Sequence, residues 1–226
     1  DNIRKAAPAT LRYFKEQGVV CKVISGDSVE TVSGIACRAG VENWDKAVDM
    51  SQVSKKEIAE AAEKYTVFGR VTPEQKKLLV KALQKKGHTV AMTGDGVNDV
   101  MALKEADCGI AIAGGADAAR NVAQLVLLKS NFEALPKVVA EGRRAINNIQ
   151  RSASLFLVKT VYASLLSIAF LFITAPYPFE PIHLTLIGFT TTGVPSVVLG
   201  LQPNHDRVQG HFLKNVLTTA APCGIT

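Results

Sequence analysis

The first half of the chain alternates between short apolar runs and longer segments in which apolar residues recur every three or four positions. Apolar runs rich in β-branched residues predict strands, and the longer periodic segments predict helices. The predicted strands cover residues 19–25, 66–68, 88–93, 108–112 and 126–128. The predicted helices cover residues 28–39, the segment from Thr72 to Gly87, and residues 98–106. Strands that alternate with helices of these lengths indicate βαβ units around a parallel sheet.

Two of these helices carry strong signals at their ends. Ser28 can cap the first helix, and Gly40 suits its C-terminal turn. The second helix begins with Thr72-Pro73-Glu74-Gln75, which combines a capping hydroxyl, a proline in the first turn and an acid shortly after it. The apolar face of this second helix is predicted to be buried, and Gly87 is predicted to end it.

The second half of the chain contains two long apolar segments, residues 152–174 and 182–201. Each is long enough, at about 1.5 Å of helical rise per residue, to cross a hydrocarbon core of about 30 Å. The short connector 175–181 makes a helical hairpin the natural arrangement. Buried helices of a large soluble domain are the alternative. Residues 132–150 are predicted to form a helix that continues into the first span and acts as a rigid connection.

Composition and charge separate the two halves further. The 226 residues are 47% hydrophobic and 20% charged, which excludes a disordered chain, a collagen and a disulfide scaffold. Of the 26 Lys and Arg residues, only four lie in 151–226, together with two of the 20 acids. The formal charge of +6 is spread among acids and forms no basic stripe with aromatic residues, so nucleic-acid binding is not predicted.

Basic residues flank the apolar segments on one side only. Lys and Arg precede the first span and follow the second, and none lies between the two spans. The flanking residues are Lys137, Arg143, Arg144, Arg151, Arg207 and Lys214. The positive-inside tendency therefore predicts a cytoplasmic α/β half and a connector on the outside. The predicted divisions are a domain over 1–131, a connecting helix over 132–151 and a membrane region over 152–226, whose last part begins a further cytoplasmic segment.

Three positions at or beyond the strand ends are candidates for chemistry, because ligands of parallel sheets bind at the carboxyl ends of the strands. Ser25-Gly26-Asp27 offers a hydroxyl, a permissive glycine and a carboxylate, although it could simply form a turn. The segment from Thr93 to Asp99 places Asp95 and Asp99 beside two glycines, and hard carboxylate oxygens suit Mg²⁺. Lys76 follows the second of the apolar runs, although it could be an ordinary surface lysine.

Taken together, these segments resemble the phosphorylation domain of P-type ATPases, which belongs to the haloacid dehalogenase-like superfamily. The resemblance rests on Ser25-Gly26-Asp27, on the run from Phe68 to Lys76, and on Met92-Thr93-Gly94-Asp95-Gly96-Val97-Asn98-Asp99. It continues through Ala102–Asp107 and, more loosely, across the rest of the chain. It implies an incomplete Rossmann-like α/β domain followed by a transmembrane hairpin that is similar to the family's fifth and sixth helices.

The resemblance also implies roles for individual residues. Asp95 would bind the catalytic Mg²⁺, with Asn98 and Asp99 shaping the same pocket and Asp99 acting on the metal indirectly. Lys76 would neutralise charge on the transferring phosphoryl group, which fits the electrostatic demands of phosphoryl transfer. The phosphate-binding residues would be Ser25, Gly26, Asp27, Thr93 and Gly94. Arg70 would lie on the nucleotide or hinge side.

The sequence departs from the family in one respect. The family's nucleophile is the first Asp of an Asp-Lys-Thr-Gly-Thr motif, which does not occur in these residues. The segment Asp1-Asn2-Ile3-Arg4 resembles the point at which the family's chain re-enters the phosphorylation domain. We therefore expect a fragment that is inactive alone and whose ATP is bound mainly by a domain outside it. The rest of its own polypeptide would be its principal partner.

The spans are where a transported substrate would be recognised. Neither span contains a carboxylate, and Lys159 is their one formal charge. An intramembrane charge commonly marks function, although Lys159 could also snorkel to the interface. Thr160 and the run Thr190-Thr191-Thr192 are further candidates for the transport path. Gly193 and Pro195 could unwind the second helix and expose its oxygens, or the threonines could bond back to their own helix.

The resemblance predicts part of an ATP-driven cation pump in a bacterial plasma membrane, with the lipid bilayer and a cation as partners, and Ca²⁺ is the first candidate for that cation. A membrane-tethered phosphatase of the same superfamily is one alternative. A P-type pump for a lipid or polyamine is another, because such pumps also lack acids in these spans. A catalytically silent anchoring segment is the third.

Overall fold

The computed structural model of the chain describes residue 3, residues 5–128 and residues 132–225. The chain divides into two compact units, residues 1–136 and residues 137–226. The division lies within the predicted connecting helix. Of the opening segment Asp1-Asn2-Ile3-Arg4, only Ile3 is among the described residues, and residues 129–131 at the predicted domain boundary lie outside them.

The strands of the first unit form two parallel sheets. The first sheet has the order β1-β3-β2, and the second has the order β4-β5-β6. The strands are β1 (Val23–Ile24), β2 (Ala47–Asp49), β3 (Val67–Gly69), β4 (Ala91–Gly94), β5 (Cys108–Ile112) and β6 (Leu125–Leu127). The predicted parallel α/β fold is therefore confirmed, although the ladders of the described residues form two sheets and not one. Strands β1 and β4 each pair with a single neighbour, so each is an edge strand.

The helices of the first unit alternate with these strands. They are α1 (Ala7–Glu16), α2 (Val29–Ala39), α3 (Ile58–Lys64), α4 (Pro73–Lys85), α5 (Val100–Glu105) and α6 (Asp117–Val122). Ser28 caps α2 by accepting the Thr31 N–H at 3.4 Å, and Gly40 ends it with a φ of 80°. Thr72 and Gln75 form a reciprocal capping box at the start of α4.

Helix α4 contributes to the core on both sides of the unit. Its Leu79 packs in a buried cluster with Phe68 of β3, whereas its Val80 packs in a second cluster with Met92 of β4. Adjacent residues of one helix thus belong to the cores of the two sheets. Because protein interiors are close-packed, this arrangement fixes the first turns of α4 relative to the ends of both sheets.

The described residues of the second unit form helices and their connecting segments, with no strand. Helix α7 runs from Leu135 to Phe170 as one element, which is followed by α8 (Pro181–Gly188), a π-helical segment (Phe189–Gly193), α9 (Val194–Leu201) and α10 (Phe212–Ile225). Two helical stretches, Phe132–Phe170 and Pro181–Leu201, are long and apolar enough to cross a membrane. The first predicted span, which was expected to reach residue 174, ends as a helix four residues earlier. Prolines at positions 176 and 178 disfavour helix in the residues before them.

Helix α10 was not predicted. Residues 202–211 contain no helix, but α10 then packs against the part of α7 that forms the predicted first span. A Cβ added at Gly224 of α10 would lie 2.7 Å from Val161 Cβ and 3.2 Å from the Val158 carbonyl oxygen. Only a glycine allows the two helices to approach this closely.

Candidate functional site

Lys76 lies at the start of α4, and its ammonium group is directed into the protein. Its Nζ donates to Asp99 Oδ1 at 2.6 Å, and the two residues are only 9% and 7% exposed. Lys76 is therefore not the ordinary surface lysine that the sequence left open. A charge pair removed from water to this degree requires good geometry and further hydrogen bonds to offset desolvation.

The second oxygen of Asp99 is also used. Asp99 Oδ2 accepts the N–H of Gly96 at 3.3 Å, so the carboxylate bridges α4 and its own loop. Gly94 makes this position possible, because a Cβ added there would lie 2.6 Å from Asp99 Cβ and 2.8 Å from Oδ2. With one oxygen on Lys76 and the other on Gly96, Asp99 is suited to positioning these groups.

Asp95 presents the opposite situation in the same loop. Its side chain is exposed and has no hydrogen bond or ion pair within the part of the chain that the structure describes. Its backbone, in contrast, is firmly held: the Ala116 N–H donates to the Asp95 carbonyl oxygen at 2.7 Å. A Cβ on Gly115 would collide with that same carbonyl. The carboxylate of Asp95 is therefore free while its main chain is fixed. Asn98 is likewise exposed.

The segment 113–116, which follows β5, was missed by the sequence analysis. It carries Gly114-Gly115 one residue after a predicted strand, and this was the available signal. The pair is easily taken for an ordinary turn. Its contribution lies in the close approach of Gly115 to Asp95, which only the folded structure reveals.

The loop Ser25-Gly26-Asp27 follows β1 and forms a compact turn. Ser25 Oγ accepts the Asp27 N–H at 3.2 Å and lies 3.2 Å from Asp27 Oδ2. The main chain of the loop is tied to the end of β3, since the Arg70 N–H donates to the Asp27 carbonyl at 2.7 Å and the Val71 N–H donates to the Ser25 carbonyl at 3.0 Å. Gly26 does not use the conformational freedom expected of it, because its φ is not left-handed and an added Cβ would fit.

Arg70 occupies a strained position at the end of β3. Its φ of 51° is left-handed, which is uncommon for a residue with a side chain. Its guanidinium group lies 3.4 Å from Asp49 Oδ2. Hydrogen bonds from Ser51, and then the charge of Arg70, hold the pKa of Asp49 below its ordinary value. Arg70 thus joins β2 to the loops that follow β1 and β3.

Gly69, the residue before Arg70, provides a test of how closely α2 packs against β3. A Cβ at Gly69 would lie 2.7–2.8 Å from the backbone N and Cα of Val29, so we expect Gly69→Ala to cost about 1–3 kcal/mol through overpacking. Gly26→Ala is the matched control and should change stability by less than about 1 kcal/mol. Urea unfolding followed by the fluorescence of Trp44, the single tryptophan, measures both. Equal stability of the two variants would contradict the close approach of α2 to β3.

The structure therefore brings Lys76, Asp99 and Asp95 together around the loop after β4. Ser25, Gly26 and Asp27 lie at the carboxyl end of another parallel strand, as the fold predicts for ligand-binding loops. Among the described residues, no hydrogen bond or ion pair joins the Ser25–Asp27 loop to the Thr93–Asp99 loop. Thr93 and Gly94 belong to β4 itself, and Gly94 serves the packing of Asp99.

A metal could be held here by only a few protein atoms. The described residues contain no cluster of three or more His, Cys, Asp or Glu side chains that could enclose an ion. Mg²⁺ does not require such a cluster, because it keeps several waters and commonly uses one or two carboxylates with substrate phosphate. The free carboxylate of Asp95 fits this requirement, while both oxygens of Asp99 already have donors.

The candidate transport-path residues lie on α7 and on the second apolar helix. Thr160 Oγ donates to the Phe156 carbonyl at 3.0 Å, and Thr191 Oγ donates to the Ile187 carbonyl at 2.6 Å. Thr190 bonds back in the same way, and Thr192 is buried. The second helix is not unwound. It widens into the π-helical segment Phe189–Gly193 and continues into α9. The back-bonding interpretation therefore applies to the hydroxyls of Thr190 and Thr191.

Comparison with known proteins adds to this geometry. A family model described as a haloacid dehalogenase-like hydrolase matches residues 1–107. The calcium-transporting ATPase CtpE of Mycobacterium tuberculosis is 46% identical over 99% of this chain, and the match covers 29% of CtpE. The probable cation-transporting ATPase exp7 of Streptococcus pneumoniae is 43% identical over 100% of this chain and 30% of its own length.

A more distant relative and a solved structure were also compared with the chain. The calcium-transporting ATPase of Bacillus subtilis is 34% identical over 91% of this chain and 24% of its own length. The catalytic domain of the CPx-ATPase CopB-B superposes with a TM-score of 0.48 at 24% identity, over 60% of this chain and 44% of that one.

The chain spans less than a third of the length of these three curated relatives. Each alignment nevertheless extends over both the α/β unit and the membrane helices, because it covers at least nine-tenths of this chain. Over nearly its whole length the chain is therefore similar to a segment of bacterial cation-transporting ATPases, and its first 107 residues match the haloacid dehalogenase-like hydrolase family.

Proposed function

We propose that this chain is part of an ATP-driven ion pump that couples formation and hydrolysis of an aspartyl phosphate to cation transport. The observation that carries the proposal is the buried Lys76–Asp99 pair beside the free carboxylate of Asp95, in a chain that also contains two long apolar helices. Lys76 supplies an ammonium group that Asp99 holds in place, and Asp95 supplies a hard oxygen ligand. Phosphoryl transfer depends mainly on such positioning and charge stabilisation.

Each residue of the candidate site has a defined role in this proposal. Lys76 holds its ammonium group where negative charge develops on the transferred phosphoryl group, and Asp99 keeps that ammonium in place. Asp95 would hold Mg²⁺, which when bound neutralises phosphate charge. Ser25, Gly26 and Asp27 would line the phosphoryl group, with Thr93 and Gly94 at the end of the neighbouring strand. Asn98 would shape the pocket from the exposed side.

The nucleophile must then come from outside these residues, since the chain lacks the Asp-Lys-Thr-Gly-Thr motif. The edge strands β1 and β4 each leave one side of their backbone unpaired in the described residues, and such edges readily accept another strand. We propose that the strand carrying the nucleophilic Asp pairs there, which would place its carboxyl end beside the loops after β1 and β4. A further domain would bind most of the ATP, with Arg70 on the side that faces it.

The membrane half would anchor the pump in a bacterial plasma membrane. The absence of Lys and Arg from the connector 175–181, with basic residues before the first span and after the second, supports a cytoplasmic α/β unit and a connector on the other side. The lipid bilayer is then a partner of α7 and of the helix from Pro181 to Leu201.

Calcium is our proposed cargo, because relatives that match over nearly the whole chain are named calcium-transporting ATPases. The absence of carboxylates from both spans means that acids elsewhere in the pump would have to bind it. We expect ATP hydrolysis by the whole pump in lipid to rise several-fold with Ca²⁺ in a panel of mono- and divalent cations. Stimulation by another cation would correct the cargo. Stimulation by none, with a response to lipids or polyamines, would overturn the cation proposal.

The same assay separates the pump from a membrane-tethered phosphatase. A phosphatase would hydrolyse a simple phosphate ester such as p-nitrophenyl phosphate at a rate that is independent of every transported ion. A pump would instead show ATP hydrolysis coupled to ion binding.

A further inference from the structure

Lys159 is an unpaired charge inside the predicted membrane region. It is the one Lys, Arg, Asp or Glu in residues 152–174 and 182–201. Its Nζ has no hydrogen bond or ion pair within the described part of the chain. A charge in this environment is costly unless it is paired or reaches water.

The position of the ammonium group argues against snorkelling. Nζ lies directly over Gly188, where an added Cβ would collide with it. Gly188 is the last residue of α8 and lies thirteen residues before Leu201, which ends the second apolar helix on its predicted cytoplasmic side. At the rise of an α-helix this separation is about 20 Å. The side chain of Lys159 thus reaches across to the neighbouring helix at depth and does not extend to the cytoplasmic interface.

The surroundings of Lys159 are polar on one side. An open groove along α7 is lined by Phe156, Lys159, Thr160, Ala163, Ser164 and Ser167. Ser164 and Ser167 are exposed, and their hydroxyls have no partner among the described residues. Hydrocarbon cannot satisfy an ammonium group and two hydroxyls. This face of α7 is therefore suited to contact with protein.

We propose that the groove around Lys159 binds a carboxylate-bearing membrane segment from the part of the pump that this chain does not span, and that Lys159 forms an intramembrane ion pair with that carboxylate. The inference rests on the proposed function, because it requires further membrane segments. Two observations select this occupant. The groove offers one positive charge and hydroxyl donors, which complement a carboxylate, and the relatives are more than three times as long as the matched segment.

The test uses the whole pump in lipid and measures its melting temperature. Lys159→Met should lower that temperature by roughly 2 °C or more, because it leaves the partner carboxylate unpaired. Lys159→Arg should keep it near the wild-type value, and Lys214→Met is the control for removal of a lysine outside the groove. Each acid in the other membrane segments is then neutralised in the Lys159→Met background.

One of those neutralisations should restore the melting temperature, and exchanging the two charges between Lys159 and that acid should also preserve it. If no acid couples to Lys159→Met, or if Lys159→Met melts like the Lys214→Met control, the ion pair is overturned. A loss of stability that depends on anionic lipid and on no acid of the pump would likewise overturn it. The proposed function is judged separately, since a wild-type pump that forms no phosphoenzyme would refute it whatever the melting temperatures.

Discussion

Replacement of Lys76 by methionine is expected to destabilise the α/β unit by about 3–5 kcal/mol, because it leaves Asp99 as an uncompensated buried carboxylate. The same change should abolish phosphoryl transfer, since it removes the fixed charge beside the site. Urea unfolding followed by Trp44 fluorescence measures the first effect, because Trp44 lies in the same unit. ATP hydrolysis by the whole pump measures the second.

Two further variants separate the stability effect from the chemical effect. Lys85→Met removes an exposed lysine from the same helix and should change stability by less than about 0.5 kcal/mol. Lys76→Met combined with Asp99→Leu removes both partners and should recover most of the stability, because replacing both members of a buried pair avoids the unpaired charge. Activity should stay lost in this double variant. If Lys76→Met unfolds like Lys85→Met, the buried pair does not exist in solution.

Replacement of Asp95 by asparagine should lower ATP hydrolysis by the whole pump by at least about 100-fold at fixed Mg²⁺, because it removes the carboxylate proposed to hold the metal. Stability should be almost unchanged, since the exposed side chain of Asp95 has no hydrogen bond or ion pair among the described residues. Asp45→Asn, at another exposed position of the same unit, is the matched control and should leave both quantities unchanged. Normal Mg²⁺-dependent turnover in Asp95→Asn would remove the metal assignment.

Elements with strong local signals were predicted well. Helix α2 begins after Ser28 and α4 begins at Pro73, as their caps indicate, and β5 covers residues 108–112 as predicted. Weakly specified elements were not. The apolar run 19–25 contributes only two residues to β1. The start of the run lies outside the ladder between β1 and β3, and Val20 is 77% exposed. Helices such as α3 and α6 are so short that tertiary packing, and not their own periodicity, determines them.

In the candidate site, too, residues within strong motifs were predicted, whereas contacts that depend on tertiary packing were not. The motifs identified Lys76, Asp95 and Asp99, but sequence alone could not show which carboxylate Lys76 contacts. That choice depends on the close approach of Asp99 to Gly94 and on the position of α4 between two cores, both of which are tertiary effects. The support of Asp95 by Gly115 and Ala116 was missed for the same reason. In the membrane half, sequence located both spans but not the π-helical segment or the packing of α10 on α7.

The most direct test of the proposed phosphoryl-transfer site is acid quenching of the whole pump after brief exposure to ATP labelled in its γ-phosphate. We predict covalent label on the protein that forms in the presence of Mg²⁺ and is released by hydroxylamine, as an acyl phosphate should be. Loss of normal formation or turnover of this label in Asp95→Asn and Lys76→Met, but not in Asp45→Asn, would tie it to the loop after β4. A wild-type pump that hydrolyses ATP without ever carrying such label would contradict the account.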